Sequence, residues 1–119
     1  MASIAEDRPR AVVLAEVLKA LSHPVRLRIV AALCEGEENV IGLATRLDQA
    51  QAIVSQQLRI LRMSGLVGAT RRAGFARYAL AEPRLRQLIA CLDHCHRVPA
   101  GGAGQTHRDV NVARKGATR

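Results

Sequence analysis

The chain has 119 residues and a formal net charge of +8, from 18 Lys and Arg residues against 10 Asp and Glu residues. This length suits one small domain, and because aromatic residues make up only 2% of the chain, the core must be built from aliphatic side chains, which favours packed helices over a β-sandwich. No stretch approaches the roughly 20 apolar residues of a membrane span and the N-terminus lacks the layout of a signal peptide, so we expect a cytoplasmic protein with no membrane partner.

The first third of the chain predicts an arm and two helices. Residues 1–9 show no periodic pattern and are interpreted as a flexible arm. The segment from Arg10 to Leu21 has apolar residues at helical spacing and predicts a first helix with a wide apolar face. Ser22 is the expected N-cap of a second helix that runs from Pro24 to about Cys34, with Leu27 facing the core.

The middle of the chain predicts a helix-turn-helix. A short third helix spans Val40 to Leu47, and the turn Asp48-Gln49-Ala50 leads into a fourth helix that begins at Gln51 and is stopped by Gly65. The apolar positions of the fourth helix recur at steps of three and four residues, so one of its faces packs inward. Two short helices joined by about three residues are typical of a DNA-reading motif.

The outer face of the fourth helix has the chemistry needed to read DNA. It carries short hydrogen-bonding side chains near its N-terminal end and arginines toward its C-terminal end. Such side chains contact base edges in a major groove and hold the neighbouring phosphates. The candidate DNA-contacting residues of this helix are Gln51, Ala52, Ser55, Gln56, Arg59 and Arg62.

A basic β-hairpin is predicted after this helix. Two β-prone runs, residues 67–72 and 75–80, flank the turn Ala73-Gly74. We interpret the hairpin as a wing that places cations beside phosphates, because arginine suits bidentate contact with phosphate. Double-stranded DNA is therefore the expected partner. The candidate phosphate-contacting residues of the wing are Arg71, Arg72 and Arg77.

The last part of the chain predicts one more helix and a tail. The helix runs from Pro83 to Val98, with Leu88 in its apolar stripe. Residues 99–119 have no apolar periodicity and are interpreted as a flexible basic tail. Its role is solubility or, as the alternative, additional non-specific attraction to DNA. Residues 10–98 then form the DNA-binding and dimerisation domain.

The sequence contains four characteristic segments: Leu21–Ile29, Val54–Leu61, Ser64–Val67 and Arg77–Leu80. They resemble the ArsR/SmtB family of bacterial winged-helix repressors, and the resemblance covers roughly residues 10–98. It implies a mainly α winged helix-turn-helix with a small β-hairpin, and a homodimer that occupies operator DNA until an inducer binds. Gln49 and Ala50 depart from the family pattern, which usually has an apolar residue and a Ser-type cap there.

The first and last helices are expected to hold the dimer. Their apolar faces exceed what one small protomer can cover. These faces are Val13, Val17 and Leu21 in the first helix and Leu85, Leu88 and Leu92 in the last. Burial against a second copy would remove this apolar surface from water. The predicted architecture is therefore a dimer joined through these two helices.

Cys91 and Cys95 are the candidate inducer ligands. On a helix, residues four apart lie on one face with Cβ atoms about 5–6 Å apart, and thiolates favour soft metals and metalloids. Cys34 is the only other cysteine and is a candidate third ligand. Packing alone is the competing interpretation, because free cysteine is among the most buried residue types.

The family resemblance narrows the choice of inducer. No cysteine lies in 38–47, so the third-helix Cys-x-Cys site of the family is absent, and Arg84 near the place of a zinc-binding histidine argues against the last-helix zinc site. A thiolate site for As(III), Sb(III) or a soft divalent metal is what remains, with no cofactor needed for DNA binding. The alternative is persulfide or oxidant sensing by Cys34 paired with Cys91 or Cys95.

An enzyme and a protein-binding module are the two other function classes to compare with the sequence. The chain has no Gly-rich phosphate loop, no His-Glu-x-x-His and no recognisable Ser/His/Asp set, so we do not expect an enzyme. If it were one, a thiol enzyme with Cys91 or Cys95 as the nucleophile would fit the sequence best. A winged helix that binds only proteins stays open, and it is distinguished by a weak dependence of binding on salt. His23 and His107 are interpreted as structural or solvated.

Overall fold

The computed structural model describes residues 3–95, which form five α-helices and one β-hairpin. The chain divides into two compact units, residues 1–89 and 90–119, and the second is described only over residues 90–95. No helix of the described part is long and apolar enough to cross a membrane. The elements are α1 (Arg8–Leu21), α2 (Pro24–Leu33), α3 (Val40–Leu47), α4 (Gln51–Met63), β1 (Val67–Arg72), β2 (Phe75–Leu80) and α5 (Leu85–Asp93), preceded by a 3-10 helix at Ile4–Glu6.

The first helix begins two residues earlier than predicted. Asp7 caps α1, since its side chain accepts a hydrogen bond from the backbone N–H of Arg10 at 3.1 Å. Pro9 then lies in the first turn, where its missing N–H leaves no helical bond unmade. Part of the segment predicted as an arm, residues 1–9, therefore belongs to α1 and to the 3-10 helix before it.

The N-cap of α2 is His23, so the prediction of Ser22 was wrong. His23 Nδ1 accepts a hydrogen bond from the backbone N–H of Val25 at 3.1 Å. The backbone N–H of Ser22 instead donates to the Lys19 carbonyl at 3.1 Å, at the end of α1. Hydroxyl side chains are the commoner caps, but a neutral imidazole presents the same kind of acceptor. His23 is thus a structural residue, as expected.

The core lies among α2, α3, α4 and the start of the hairpin. The prediction that Leu27 faces inward was wrong, because the inward face of α2 is formed by the residues after it and leaves Leu27 36% exposed. Burying an aliphatic side chain stabilises the fold by about 1.5–3 kcal/mol, so this cluster holds the helices together. The largest fully buried side chains are Ile29, Val30, Leu33, Leu43, Val54, Leu58 and Leu61.

The hairpin agrees with its predicted bounds and is attached to the helices. Its strands are antiparallel, and Ala73 and Gly74 form the turn with φ of 51° and 83°, the left-handed pair that a two-residue hairpin turn requires. The backbone N–H of Glu38 donates to the Tyr78 carbonyl at 3.0 Å, and that of Tyr78 donates to the Glu38 carbonyl at 2.8 Å. The loop before α3 therefore fixes the position of β2.

The last helix is shorter than predicted. Pro83 lies in the turn before α5, and the helix ends at Asp93, so Cys95 lies two residues beyond it. The end is tight because the backbone N–H of Cys95 donates to the carbonyl of Leu92, three residues back, at 3.0 Å. The rest of the predicted helix, residues 96–98, and the tail at 99–119 lie outside the described residues.

The cap of α2 gives a test of the fold. Replacing His23 with Ala removes the acceptor of the Val25 N–H, so we expect the free energy of unfolding to fall by about 0.5–2 kcal/mol. His23→Ser supplies a hydroxyl acceptor and is expected to keep the stability close to that of the wild type. Urea unfolding followed by circular dichroism measures both. Equal loss in the two variants would mean that the imidazole does not act as the cap.

Candidate nucleic-acid interface

The predicted reading face of α4 is exposed, and its opposite face is buried. Val54, Leu58 and Leu61 are at most 1% exposed, and this burial determines which face of the helix is turned to solvent. Ala50 precedes the helix without a side-chain cap, as expected from the departure at the turn. All six residues predicted to contact DNA from this helix are solvent-exposed: Gln51, Ala52, Ser55, Gln56, Arg59 and Arg62.

The wing presents Arg71 and Arg72 to solvent but holds Arg77 in place. Arg77 donates from Nε to Glu37 Oε1 at 3.0 Å and from Nη2 to the Glu37 carbonyl at 3.1 Å. Its side chain is 32% exposed, whereas that of Arg72 is 67% exposed and lies 3.6 Å from the same carboxylate. Such an exposed ion pair contributes only about 0–1 kcal/mol, so a phosphate can compete for Arg72.

Glu37 is a bonding partner of the wing arginines that could not be predicted from the sequence. It lies in the loop before α3, forty residues from Arg77, and no local pattern links the two. Its carboxylate distinguishes the wing arginines, because it holds Arg77 against the fold and leaves Arg72 largely exposed. Arg71 stays exposed and donates to the Gly74 carbonyl at 3.1 Å within the turn, so its charge lies at the tip of the wing.

The cysteines lie in two different settings. Cys91, in the last turn of α5, and Cys95 are both exposed, while Cys34 at the end of α2 is half-buried. Exposure of Cys91 and Cys95 does not favour the packing interpretation. Over residues 3–95, no three His, Cys, Asp or Glu side chains are grouped so that they could hold a metal ion.

Glu82 is engaged by Arg84. Arg84 donates to the Glu82 carboxylate from Nε at 3.1 Å and Nη2 at 3.2 Å, and from its backbone N–H at 3.0 Å. These bonds, the side-chain ones above all, lower the pKa of Glu82 below its ordinary value. The Glu82 carboxylate is therefore paired with a cation from its own segment.

Known proteins with similar sequences identify the family of this chain. Residues 23–68, from the cap of α2 into β1, match the family described as bacterial regulatory proteins of the arsR family. The biofilm growth-associated repressor of Agrobacterium fabrum is 42% identical over 83 residues, which cover 70% of this chain and 71% of that protein. The chain belongs to the ArsR family. The resemblance found in the sequence is thus confirmed.

Two solved structures of transcriptional regulators have a similar fold. The transcriptional repressor BigR from Xylella fastidiosa matches with a TM-score of 0.74 at 37% identity, covering 82% of this chain and 100% of that one. Mb0332 from Mycobacterium bovis, described as a homodimeric winged helix-turn-helix DNA-binding domain, matches with a TM-score of 0.65 at 30% identity over 78% of this chain and 87% of its own. The ArsR chain is a transcriptional repressor and not an enzyme.

The division of labour between α4 and the wing is testable. Gln56→Ala should weaken a selected operator by about 1–3 kcal/mol and change binding to random DNA little, because it removes a base contact. Arg72→Ala should weaken both DNAs alike and reduce the salt slope by about 0.9, as expected for one lost phosphate contact. The operator is a duplex that the protein selects from a random library of about 30 base pairs, enough for two half-sites one helical turn apart.

Arg8→Ala is the matched control for charge, because it removes the same cation from the exposed start of α1. Fluorescence anisotropy at several salt concentrations measures the affinities. If Gln56→Ala weakens binding to operator and random DNA equally, Gln56 does not contact a base. If the salt slope of Arg72→Ala is unchanged, Arg72 does not contact a phosphate.

Proposed function

We propose that this ArsR-family repressor binds double-stranded operator DNA as a homodimer and leaves it when trivalent arsenic or antimony binds Cys91 and Cys95. The observation that carries the DNA-binding part is the exposed polar face of α4 beside the exposed wing arginines Arg71 and Arg72. Base readout by the helix and phosphate contacts by the wing together give affinity and sequence preference. The positive net charge of +8 supports association with DNA.

A groove between α1 and the start of α5 supports the proposed dimer. Its volume is about 450 Å³, and Val13 on its rim is 62% exposed. A contiguous apolar surface of this kind is typical of a site that another protein covers. A second copy is the occupant we propose, because a two-fold interface buries the same surface on both chains. The groove is lined by Arg10, Val13, Leu14, Val17, Glu82, Arg84, Leu85 and Leu88.

Val13→Glu tests the dimer. Val13 is 62% exposed in the protomer, so a carboxylate there leaves the protomer fold intact, whereas burying it in an interface costs several kcal/mol. We expect a monomer in sedimentation velocity and loss of operator binding. The prediction that Leu21 and Leu85 face a second copy was wrong, because both are buried in the core of the protomer. Leu88 is a poorer choice because it packs partly against the same core.

Ala15→Glu is the matched control, since Ala15 is exposed on the other side of α1; this variant should remain dimeric. A Val13→Glu protein that sediments as a dimer would contradict the proposed interface. The same proposal requires the two copies of α4 to lie about 34 Å apart, so that they enter successive major grooves.

The chemistry of Cys91 and Cys95 suits a metalloid inducer. Both thiols are exposed and therefore accessible to a dissolved ion. With arsenous acid, each thiol gives up its proton and replaces one hydroxyl group, so two As–S bonds form, two As–O bonds break and two water molecules leave. Sulfur ligands are the ones that such soft ions prefer. The two cysteines would hold the metalloid without a third protein ligand.

A redox inducer is the second candidate, and one observation favours it. Cys91 and Cys95 are exposed, so a dissolved oxidant can reach either thiol. A two-electron oxidant such as hydrogen peroxide would join two thiols, one of them Cys34, in an S–S bond and would itself be reduced to water. Persulfides react with the same thiols. Cys34 then becomes essential for release.

Release from the selected operator distinguishes the two inducers. Cys91→Ser and Cys95→Ser should bind the operator within about twofold of the wild type but should no longer be released by arsenite, whereas Cys34→Ser should still respond. Coupling of about 1–3 kcal/mol between inducer and DNA gives a 5- to 150-fold loss of affinity in the wild type. The measurement is operator anisotropy with and without arsenite.

Normal release of the Cys91→Ser, Cys95→Ser double variant by arsenite would exclude the metalloid site. Release by peroxide or persulfide but not by arsenite, together with its loss in Cys34→Ser, would support the redox candidate instead. Both outcomes leave the DNA-binding part of the proposal in place.

A further inference from the structure

Arg26 connects three helices through one guanidinium group. It lies half-buried in the first turn of α2. Its Nε donates to the Ala20 carbonyl at 2.6 Å, and its Nη1 donates to Gln57 Oε1 at 2.9 Å. Ala20 is in the last turn of α1, where carbonyl groups have no partner within the helix, and a cation there also meets the negative end of the helix dipole.

Gln57 is unusual among the residues of α4. It is 8% exposed, and among residues 3–95 it is the only buried polar or charged side chain. It lies on the inward face beside Val54 and Leu58, on the side of the helix away from the exposed residues that contact DNA. Helix α4 therefore carries one hydrogen-bonding group into an otherwise aliphatic core.

This bond constrains α4 in a way that its aliphatic neighbours do not. Apolar contacts are non-directional, so Val54, Leu58 and Leu61 allow small rotations and shifts of the helix. A hydrogen bond weakens steeply when its angle changes, and one with a charged donor is stronger than a neutral one. The link through Arg26 thus ties the rotation of α4 about its own axis to the end of α1.

We propose that Arg26 and Gln57 are positioning residues for operator reading, which orient the base-contacting face of α4 relative to α1. The inference rests on the proposed function, because the orientation relative to α1 affects DNA reading when α1 belongs to the dimer interface. In that dimer the two copies of α4 must enter successive grooves together, so a rotation of each helix changes both half-site contacts at once. Neither residue needs to touch DNA.

Four variants test the link. Gln57→Met keeps the length and burial of the side chain but removes the acceptor oxygen, and Arg26→Lys keeps the charge but lacks the fork that reaches two acceptors. Gln57→Glu keeps an acceptor for Arg26 and is the conservative control. The double variant Arg26→Lys, Gln57→Met completes a cycle that separates coupled from independent effects. Affinities for the selected operator and for a random duplex are measured below the unfolding temperature of every variant.

We expect Gln57→Met and Arg26→Lys each to weaken operator binding by about tenfold, within the range for mutations that alter coupling, while random-duplex binding changes by less than about twofold. Gln57→Glu should bind the operator like the wild type. The double variant should lose about tenfold and not a hundredfold, because both substitutions break the same link.

A lower melting temperature with an unchanged ratio of operator to random-duplex affinity would overturn the inference, since both residues would then serve stability alone. A hundredfold loss in the double variant would overturn it too, because the two side chains would act independently. Failure of the wild type to prefer any selected duplex over random DNA would instead contradict the proposed function itself, and this inference with it.

Discussion

The burial of one face of α4 is the constraint on which the remaining structure depends. Val54 and Leu61 are fully buried, and Leu58 is 1% exposed, so α4 is held by α2 and α3 on one side and presents the opposite side to solvent. Each residue step turns a helix by about 100°, so once these positions are buried the exposed set is fixed. The face proposed to read DNA is thus a consequence of where the aliphatic residues lie in the sequence.

The sequence predicted those parts of the fold that local patterns determine. Helix α3, the turn after it, the start of α4 and both strands have their predicted bounds, because each depends on periodicity or on a turn residue nearby. The end of α5 was predicted less well: the apolar pattern continues past Asp93, but the backbone tightens there. Capping by His23 depended on a rotamer that no pattern of residue types reveals.

Contacts between distant segments were the part of the site that could not be predicted. Glu37 and Arg77 are forty residues apart, and Arg26 and Gln57 are thirty-one apart. The sequence predicted a phosphate contact for Arg77 and no role for Arg26. In the fold, each of these arginines bonds to a partner whose position only the packed helices determine. A basic composition therefore overestimates the number of arginines free for phosphate, and the fold decides which ones serve as internal ties.

The exposed side of α4 has a consequence for how such a protein can diverge. Gln56 and Arg59 are exposed on the side away from the core, and substitutions at exposed positions usually change stability by no more than about 0.5 kcal/mol. Under the proposed function, descendants of this chain can therefore exchange these residues and recognise new DNA sequences while the fold stays the same. The buried side, including Gln57, has no such freedom. After a gene duplication, substitutions would therefore change the DNA sequence that is recognised before they change the fold.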